Sequence, residues 1–315
     1  FIDLNIYQIF LIIIIIILND IKKIMNQNTL KNKITIIIVL YREDYQILYQ
    51  TLDKIRDFKK IIIDNSNNLE IKNKIEENFE IEKYVLNKKN NGFSSGYNQG
   101  VKLSETDFCL ILGPDCIIDT KSIIKLYEKL TLNEDCLLTT STSYNENNQL
   151  TYTAGLLPEN GEKDFPIKLE GDICVESTLG ACMFFKKKDF IEIGLFDEIF
   201  FIYFSDDDLC RKIKKRGKYI IQVFESKCIH SHGISKVKNI FEKIYLREHY
   251  FLLDKFHYFR KSSKNRNMMN SILDKKNNYL IKIFLSLFTM RFQKVVYYFA
   301  RYNAILKYNN FLKKN

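Results

Sequence analysis

The sequence predicts an α/β fold built on a doubly wound, mostly parallel sheet, and three observations carry that expectation. From about residue 33, short apolar runs rich in isoleucine alternate with longer polar stretches of helical period. Polar residues follow those runs directly, at Tyr41, Asp64, Asn65 and Asp115, where ligands collect beyond the carboxyl ends of parallel strands. At 315 residues and 46% hydrophobic content, the chain is long enough for one large domain plus an appendage and too apolar to be disordered.

The elements follow in order. Ile34 to Leu40 reads as a buried strand, Tyr45 to Phe58 as a helix, and Lys60 to Ile63 as a second strand ending in Asp64-Asn65-Ser66. A helix over Glu70 to Asn78, a strand over Lys83 to Leu86 and a helix starting at Tyr97 come next. Phe108 to Leu112 is a fourth strand, stopped by Gly113-Pro114-Asp115, and a helix over Lys121 to Leu130 and a strand near Leu137 to Thr140 complete this half. Asn145 to Asp172 is polar and lacks periodicity, as an excursion or acceptor-side loop does. The apolar pattern resumes over Val175 to Lys186, then Asp208 to Arg216 is helical up to a Gly217 cap, and Ile220 to Phe224 is a short strand.

Charge is divided unevenly. Of 48 Lys/Arg, 18 lie in residues 236–315 against 4 of the 38 Asp/Glu, which leaves 30 against 34 in the preceding part. The net charge of +10 therefore belongs to the tail, and no base-reading motif accompanies it, so a nucleic-acid partner is not expected. Ile240 to Phe259 and Tyr279 to Tyr302 set aromatic and aliphatic residues at helical spacing with Lys/Arg between them. That pattern suits either an anionic membrane surface or packing on the main domain or a second subunit. Seven scattered cysteines, with no Cys-x-x-Cys, argue against a disulfide framework or a zinc knuckle and for a reducing cytoplasm, with attachment to the inner face of the membrane as the peripheral option. The apolar run Ile9 to Leu18 has ten residues, short of the roughly 20 that span a bilayer. For the segment before Met25, a surface anchor, an extra element and a stretch outside the working protein all stay open.

Four constellations carry chemistry. Asn90 to Gly100 holds three glycines and two serines between a strand and a helix, as a phosphate-approaching turn or a ligand-free tight turn would. Asp115, after a strand and a Gly-Pro pair, fits a hard-metal ligand or a helix cap. Ser205-Asp206-Asp207-Asp208 gathers three carboxylates beside Phe200 to Phe204, either for a general base or to complement a helix N-terminus. His230 and His232, two of four histidines, follow the late strand as metal ligand or structural residues.

In order and spacing, these segments resemble the family 2 glycosyltransferases with a GT-A fold, especially the branch containing rhamnosyltransferases. The resemblance runs from about Ile34 to Ser235 and rests on Val39-Leu40-Tyr41-Arg42, Ile63-Asp64-Asn65-Ser66, Asn91 to Gly100 and Leu112-Gly113-Pro114-Asp115. It continues through Gly180-Ala181-Cys182-Met183, Gly194 to Glu198, Phe201 to Cys210 and His230 to Ser235. It implies a Rossmann-like catalytic domain over 31–240, preceded by an apolar segment over 1–30 and followed by a basic, aromatic helical tail over 241–315.

The same resemblance implies roles. Tyr41, Glu43, Asp64, Asn65, Gly96, Asn98 and Asp115 would bind a nucleoside-diphosphate sugar, dTDP-rhamnose or a UDP-sugar. Asp115 with His230 or His232 would hold Mg²⁺ or Mn²⁺, and spacing to Ser235 favours His230. Asp206 would be the catalytic base of an inverting single displacement, with Gly180, Asp207 and Asp208 on the side of a glycan or lipid-linked acceptor. Two departures stand out: Ser205 replaces the family's usual Glu, and Asp115 is not in a clean Asp-x-Asp. A non-catalytic sugar-nucleotide scaffold and a nucleotidyltransferase are the alternatives; the latter wants a basic glycine-rich loop near the first strand, which Tyr41-Arg42-Glu43-Asp44 does not supply.

Overall fold

A computed structural model describes residues 29–151, 153–161, 169–231, 239–261 and 273–314. Strands β1 (Ile34–Leu40), β2 (Lys59–Asp64), β3 (Lys83–Leu86) and β4 (Phe108–Leu112) run parallel in the order β3-β2-β1-β4. β1 is ITIIIVL with every side chain but Val39 fully buried, because helices cover both of its faces. The crossovers are α1 (Tyr45–Lys54), α2 (Leu69–Asn78) and α3 (Gly92–Leu103). Asp44 and Asn68 cap the first two, accepting from the backbone N–H of Gln46 and Ile71.

Beyond β4 come β5 (Cys116–Ile118), α4 (Thr120–Thr131), β6 (Cys136–Tyr144), β7 (Leu150–Thr151), β8 (Ala154–Gly155), β9 (Ile173–Val175), β10 (Ser177–Thr178) and β11 (Cys182–Lys186). α5 (Lys187–Glu192), α6 (Ser205–Lys215) and β12 (Tyr219–His230) follow. The sheet order continues β4-β11-β6-β12-β5, with β11 antiparallel to both of its neighbours and β5 antiparallel on β12. β6 and β12 are parallel, so a Rossmann-like half is joined to a mixed half. β7 and β9 pair with β6 and β12, and β8 with β10, so the described part of Asn145 to Asp172 is partly strand rather than unpatterned loop.

Among the boundaries that differ from the sequence reading, three bear on the site. α3 begins at Gly92, so most of the glycine-rich stretch is helix. Gly96 and Gly100 lie on its inner face, where a Cβ would stand 2.9 Å from Val39 Cγ1 and 2.3 Å from Ile37 Cγ2. The missing side chains let the helix axis approach β1. β12 spans Tyr219 to His230, starting one residue before the expected Ile220 to Phe224 and ending six residues beyond it, because its end finds β5 as a partner after a bulge between Val223 and Lys227. α6 starts at Ser205, which puts all three acids in its first turn.

The tail forms α7 (Ile240–Arg260), α8 (Lys276–Phe288) and α9 (Phe292–Lys314). Leu252, Phe256, Tyr258, Ala304 and Tyr308 bury between α7 and α9 and against Phe200, with Phe256 and Tyr308 stacked at 4.7 Å. The stripes on α7 and α9 thus pack on the main domain, whereas α8 keeps an exposed apolar face. Among the described residues no helix is long and apolar enough to cross a membrane. All seven cysteines are free thiols.

Gly100→Ala forces a methyl into Ile37 and should destabilise the protein by about 1–3 kcal/mol through overpacking. A cycle with Ile37→Ala should be less than additive by roughly 1 kcal/mol, since the second change removes the obstructing Cγ2. Urea unfolding of the four proteins measures both.

Candidate active site

The site forms at the carboxyl ends of β1, β2 and β4. Asp115 follows β4, and its place is fixed from three sides: the Thr51 hydroxyl donates to the Pro114 carbonyl (2.9 Å), Gly113 N–H donates to Ala181 O (2.8 Å), and Ser231 N–H donates to Asp115 O (3.2 Å). The β5–β12 register sets His230 opposite Cys116, which brings His230 Nε2 to 3.5 Å from Asp115 Oδ1. Residues 115 positions apart in the chain meet because one short antiparallel pairing closes the sheet edge.

Glu43, just past β1, faces the same point. Burial first, and then the neighbouring Asp115 carboxylate, push its carboxyl up to about 7. Two carboxylates and an imidazole converging in a largely buried place form an electrostatic arrangement that a divalent cation would relieve. Oxygen donors from one or two carboxylates, with the remaining positions left to water and substrate phosphate, are what Mg²⁺ and Mn²⁺ accept. Cys116 also lies here, the ligand atoms of Asp115, Cys116 and His230 all falling within 4.8 Å of one another. Burial pushes its thiol up, and its sulfur is engaged with Cys228, so it acts as packing rather than as a thiolate ligand.

The three acids of α6 separate because a helical turn points them in different directions. Asp207 is buried and accepts from the Ser177 hydroxyl at 2.5 Å. Asp208 is buried in a cationic cluster, 2.8 Å from Arg211 Nη2 and 2.9 Å from Lys261 Nζ. Asp206 is only half-buried; its Oδ2 accepts from Gly180 N–H at 3.0 Å and its Oδ1 from Asp207 N–H at 3.0 Å. Of the three, Asp206 alone combines partial exposure with backbone amides that hold its carboxylate. Ser205 is fully buried and its hydroxyl meets that of Ser94 on α3 at 2.6 Å.

The remaining expected residues sort into lining and framework. Tyr41 is half-buried beneath the Arg42 guanidinium, 5.2 Å from the ring centroid, and Arg42 itself pairs with Glu242 of α7 at 2.8 Å. Asp64 is fully buried, and its oxygens accept from Ser66 N–H, Ser66 Oγ, Asn68 N–H and the Tyr84 hydroxyl, which organises the turn after β2. Asn65 donates to Gly92 O (3.1 Å) and accepts from Asn87 (2.9 Å), tying that turn to α3. Gly96 serves the α3–β1 approach. Asn98, expected to shape the donor site, is buried with its amide donating to Phe196 O and Glu198 and accepting from Phe196 N–H. It braces the 196–198 segment. Gly180 lies under the Phe93 ring, where a Cβ would come within 2.5 Å of Cζ. The α3 N-terminus does not open toward a ligand at Phe93, whose N–H donates to Phe201 O at 2.6 Å. His232 lies outside the described residues.

Sequence reasoning missed the contribution of the tail. Asp254 of α7 accepts from the backbone N–H groups of Phe201, Ile202 and Tyr203 at 2.9–3.2 Å, fixing the loop that leads into Asp206. Phe204 follows with a positive φ of 59°, a strained state for an aromatic residue, held by packing against Phe251 and Tyr258. The one aspartate of α7, set directly after Leu252 and Leu253 in an apolar helical pattern, was the available signal.

A nucleotide-binding half-sheet continued by an antiparallel strand, with an Asp–His pair after β4 and a carboxylate at the head of α6, defines a GT-A-like glycosyltransferase. The chain belongs to glycosyl transferase family 2, whose family profile matches residues 35–194. It is 26% identical over 236 residues to a low-salt glycan biosynthesis hexosyltransferase of Haloferax volcanii, covering 70% of this chain and 73% of that protein. Its fold is similar to that of GalNAc-T7 in a crystal structure with UDP, GalNAc and Mn²⁺ (TM-score 0.54, 15% identity, 72% of this chain), and the match spans half of that protein's length. It is also similar to a mannosyltransferase of Pyrobaculum calidifontis in complex with GDP-Man and Mn²⁺ (TM-score 0.50, 10% identity, 87% of this chain and 86% of that one).

Asp254→Ala leaves three amides without their acceptor and should cost about 2–4 kcal/mol of stability. Burial raises the Asp254 carboxyl to about 6, above the value near 4 of an unfolded aspartate. Between those two values the folded protein holds a proton that the unfolded chain has released, so this group's contribution to stability falls as pH rises through the window. Asp254→Asn should flatten that slope, and thermal unfolding followed from about pH 4 to about pH 7 reads it.

Proposed function

We propose that the protein is an inverting hexosyltransferase that moves a sugar from a nucleoside diphosphate to a hydroxyl of a glycan or lipid-linked glycan. The observation that carries this reading is the short path between its two chemical centres. Gly113 N–H donates to Ala181 O, and the N–H of the preceding residue, Gly180, donates to the Asp206 carboxylate, so two hydrogen bonds from backbone amides connect the Asp115 turn to Asp206. Asp115 and His230 would hold Mg²⁺ or Mn²⁺, with Glu43 beside them. Such an ion, when bound, offsets the negative charge that grows on a departing diphosphate.

In this scheme Asp206 accepts the proton of the acceptor hydroxyl. That oxygen bonds the anomeric carbon from the face opposite the diphosphate, the carbon–oxygen bond to the phosphate breaks with its electron pair, and the product is inverted. The Gly180 and Asp207 amides keep the carboxylate in one orientation while leaving lone pairs for the incoming hydroxyl. Tyr41 and the turn after β2 would take the nucleoside by stacking and hydrogen bonding. The buried Ser205–Ser94 contact favours an active enzyme over a scaffold, since the residue that replaces the family's Glu is framework and not a group lost from an open mouth. A dTDP-rhamnose or UDP-sugar donor, a cytoplasmic location consistent with free thiols, and cell-surface polysaccharide synthesis complete the proposal.

Asp206→Asn should lower turnover by about 10²- to 10⁴-fold, the usual worth of a general base, with nucleotide binding retained. Near wild-type turnover would remove Asp206 from that role. In a thermal-shift series with UDP, dTDP and GDP, a nucleotide should raise the melting temperature only with Mn²⁺ or Mg²⁺ present, and Asp115→Asn or His230→Ala should abolish the shift. A metal-independent shift that survives both substitutions would overturn the metal site.

A further inference from the structure

Among the described residues of the helical tail, an apolar surface on α8 and the turn into α9 is left uncovered. On α8 and the turn into α9, Ile281, Phe284, Leu285, Leu287, Phe288, Met290 and Phe292 are all exposed, with Phe284 at 70%, Phe288 at 90% and Met290 at 74%. Between Leu280 and Phe299, Ser286 is the single buried residue among those described. The turn is ordered by its own backbone, Arg291 N–H donating to Ser286 O and Met290 N–H to Leu287 O, so the exposure is built into a hairpin tip. Isolated exposed apolar residues are ordinary, but a contiguous set of this size marks an interaction surface.

We propose that this α8–α9 tip docks the enzyme on an anionic bilayer surface. Charge selects that occupant. After Asp274 the sequence contains no Asp or Glu, and Lys275, Lys276, Lys282, Arg291 and Lys294 flank the apolar tip. A second copy of the same face would set these cations against their own kind, whereas anionic headgroups neutralise them as the aromatic and aliphatic side chains enter the acyl boundary. α8 has 13 residues, about 20 Å of helix, too short for a hydrocarbon core of about 30 Å, so the tip lies in the interface and does not span it.

The tip also has a defined position relative to the site. α9 runs beside α7 in the same direction: Tyr245 meets Phe299, Glu248 pairs with Arg301, and Phe256 stacks on Tyr308. Both helices therefore start at the same end, and α7 starts where Glu242 pairs with Arg42 at the carboxyl end of β1. Phe292 stands seven residues before Phe299, about 10 Å further along the axis, so the tip projects from the end of the molecule that carries Tyr41 and Glu43. Docking would bring the site mouth to the membrane plane. That consequence rests on the glycosyl-transfer reading for its lipid-linked acceptor; the docking itself does not.

The test is co-sedimentation of the full chain with phosphatidylcholine vesicles, with and without phosphatidylglycerol. Wild type should sediment with the anionic vesicles and be released by high salt. Phe284→Asp with Phe288→Asp, and separately Arg291→Glu with Lys294→Glu, should each reduce the bound fraction by about tenfold or more while keeping the wild-type melting temperature. Because Ile9 to Leu18 is also apolar, binding that neither pair of substitutions changes would assign attachment elsewhere and overturn the proposal. So would a failure of wild type to bind anionic vesicles, or a dimer that Phe284→Asp with Phe288→Asp converts to monomer in light scattering. The nucleotide- and metal-dependent melting shift, read on the same variants without vesicles, fails only if the glycosyl-transfer reading fails.

Discussion

Everything at the mouth depends on β11 running against the direction of β4. A parallel strand there would begin at the opposite edge of the sheet, and its leading residues would lie far from the carboxyl end of β4. Running antiparallel, β11 starts where β4 stops, so Ala181 takes the Gly113 amide and Gly180 presents its own amide to Asp206. The reversal joins the parallel half of the sheet to the half that carries Asp206. β12 and β5 repeat the device one edge further on, where antiparallel pairing delivers His230 to Asp115.

Around this constraint, most buried polar groups act as braces. Asn98, Asp64 and Asn65 fix loops to helices, Asp208 gathers Arg211 and Lys261, and Asp254 collects three amides. Each group is costly to bury without partners, and each finds them here. Catalytic geometry of this kind requires groups locked by neighbours, since misplacement by an ångström is expensive. The tail belongs to the same framework: through Asp254, Phe251 and Tyr258 it holds the 200–204 segment, and through Glu242 it reaches Arg42.

The parallel half of the fold was legible because isoleucine-rich runs of strand length alternate with helical periods, and burial on both faces leaves no other use for ITIIIVL. Asp115 stood out by its place after a strand, and Asp206 was singled out by the resemblance to family 2 glycosyltransferases. Which of three adjacent acids stays accessible was not legible, because that depends on where Ser177, Arg211 and Lys261 come to lie. The glycine-rich stretch was misleading as a loop: its spacing of Gly96 and Gly100 serves helix–strand approach, a purpose that only Ile37 and Val39 on the facing strand disclose.

Sequence alone determined the fold class, the division between a near-neutral domain and a basic tail, and the identities of the groups able to carry charge. Local patterns decide these, since hydrophobic period and residue chemistry need no partner. Tertiary structure decided which groups meet. The three-residue strand β5 is too short to announce itself, yet its pairing with β12 makes the Asp115–His230 pair, and the packing of α7 on α9 both hides one set of aromatic stripes and leaves the α8 tip in the open. Contacts across so many residues follow from strand order and helix packing, and these are properties of the assembled chain.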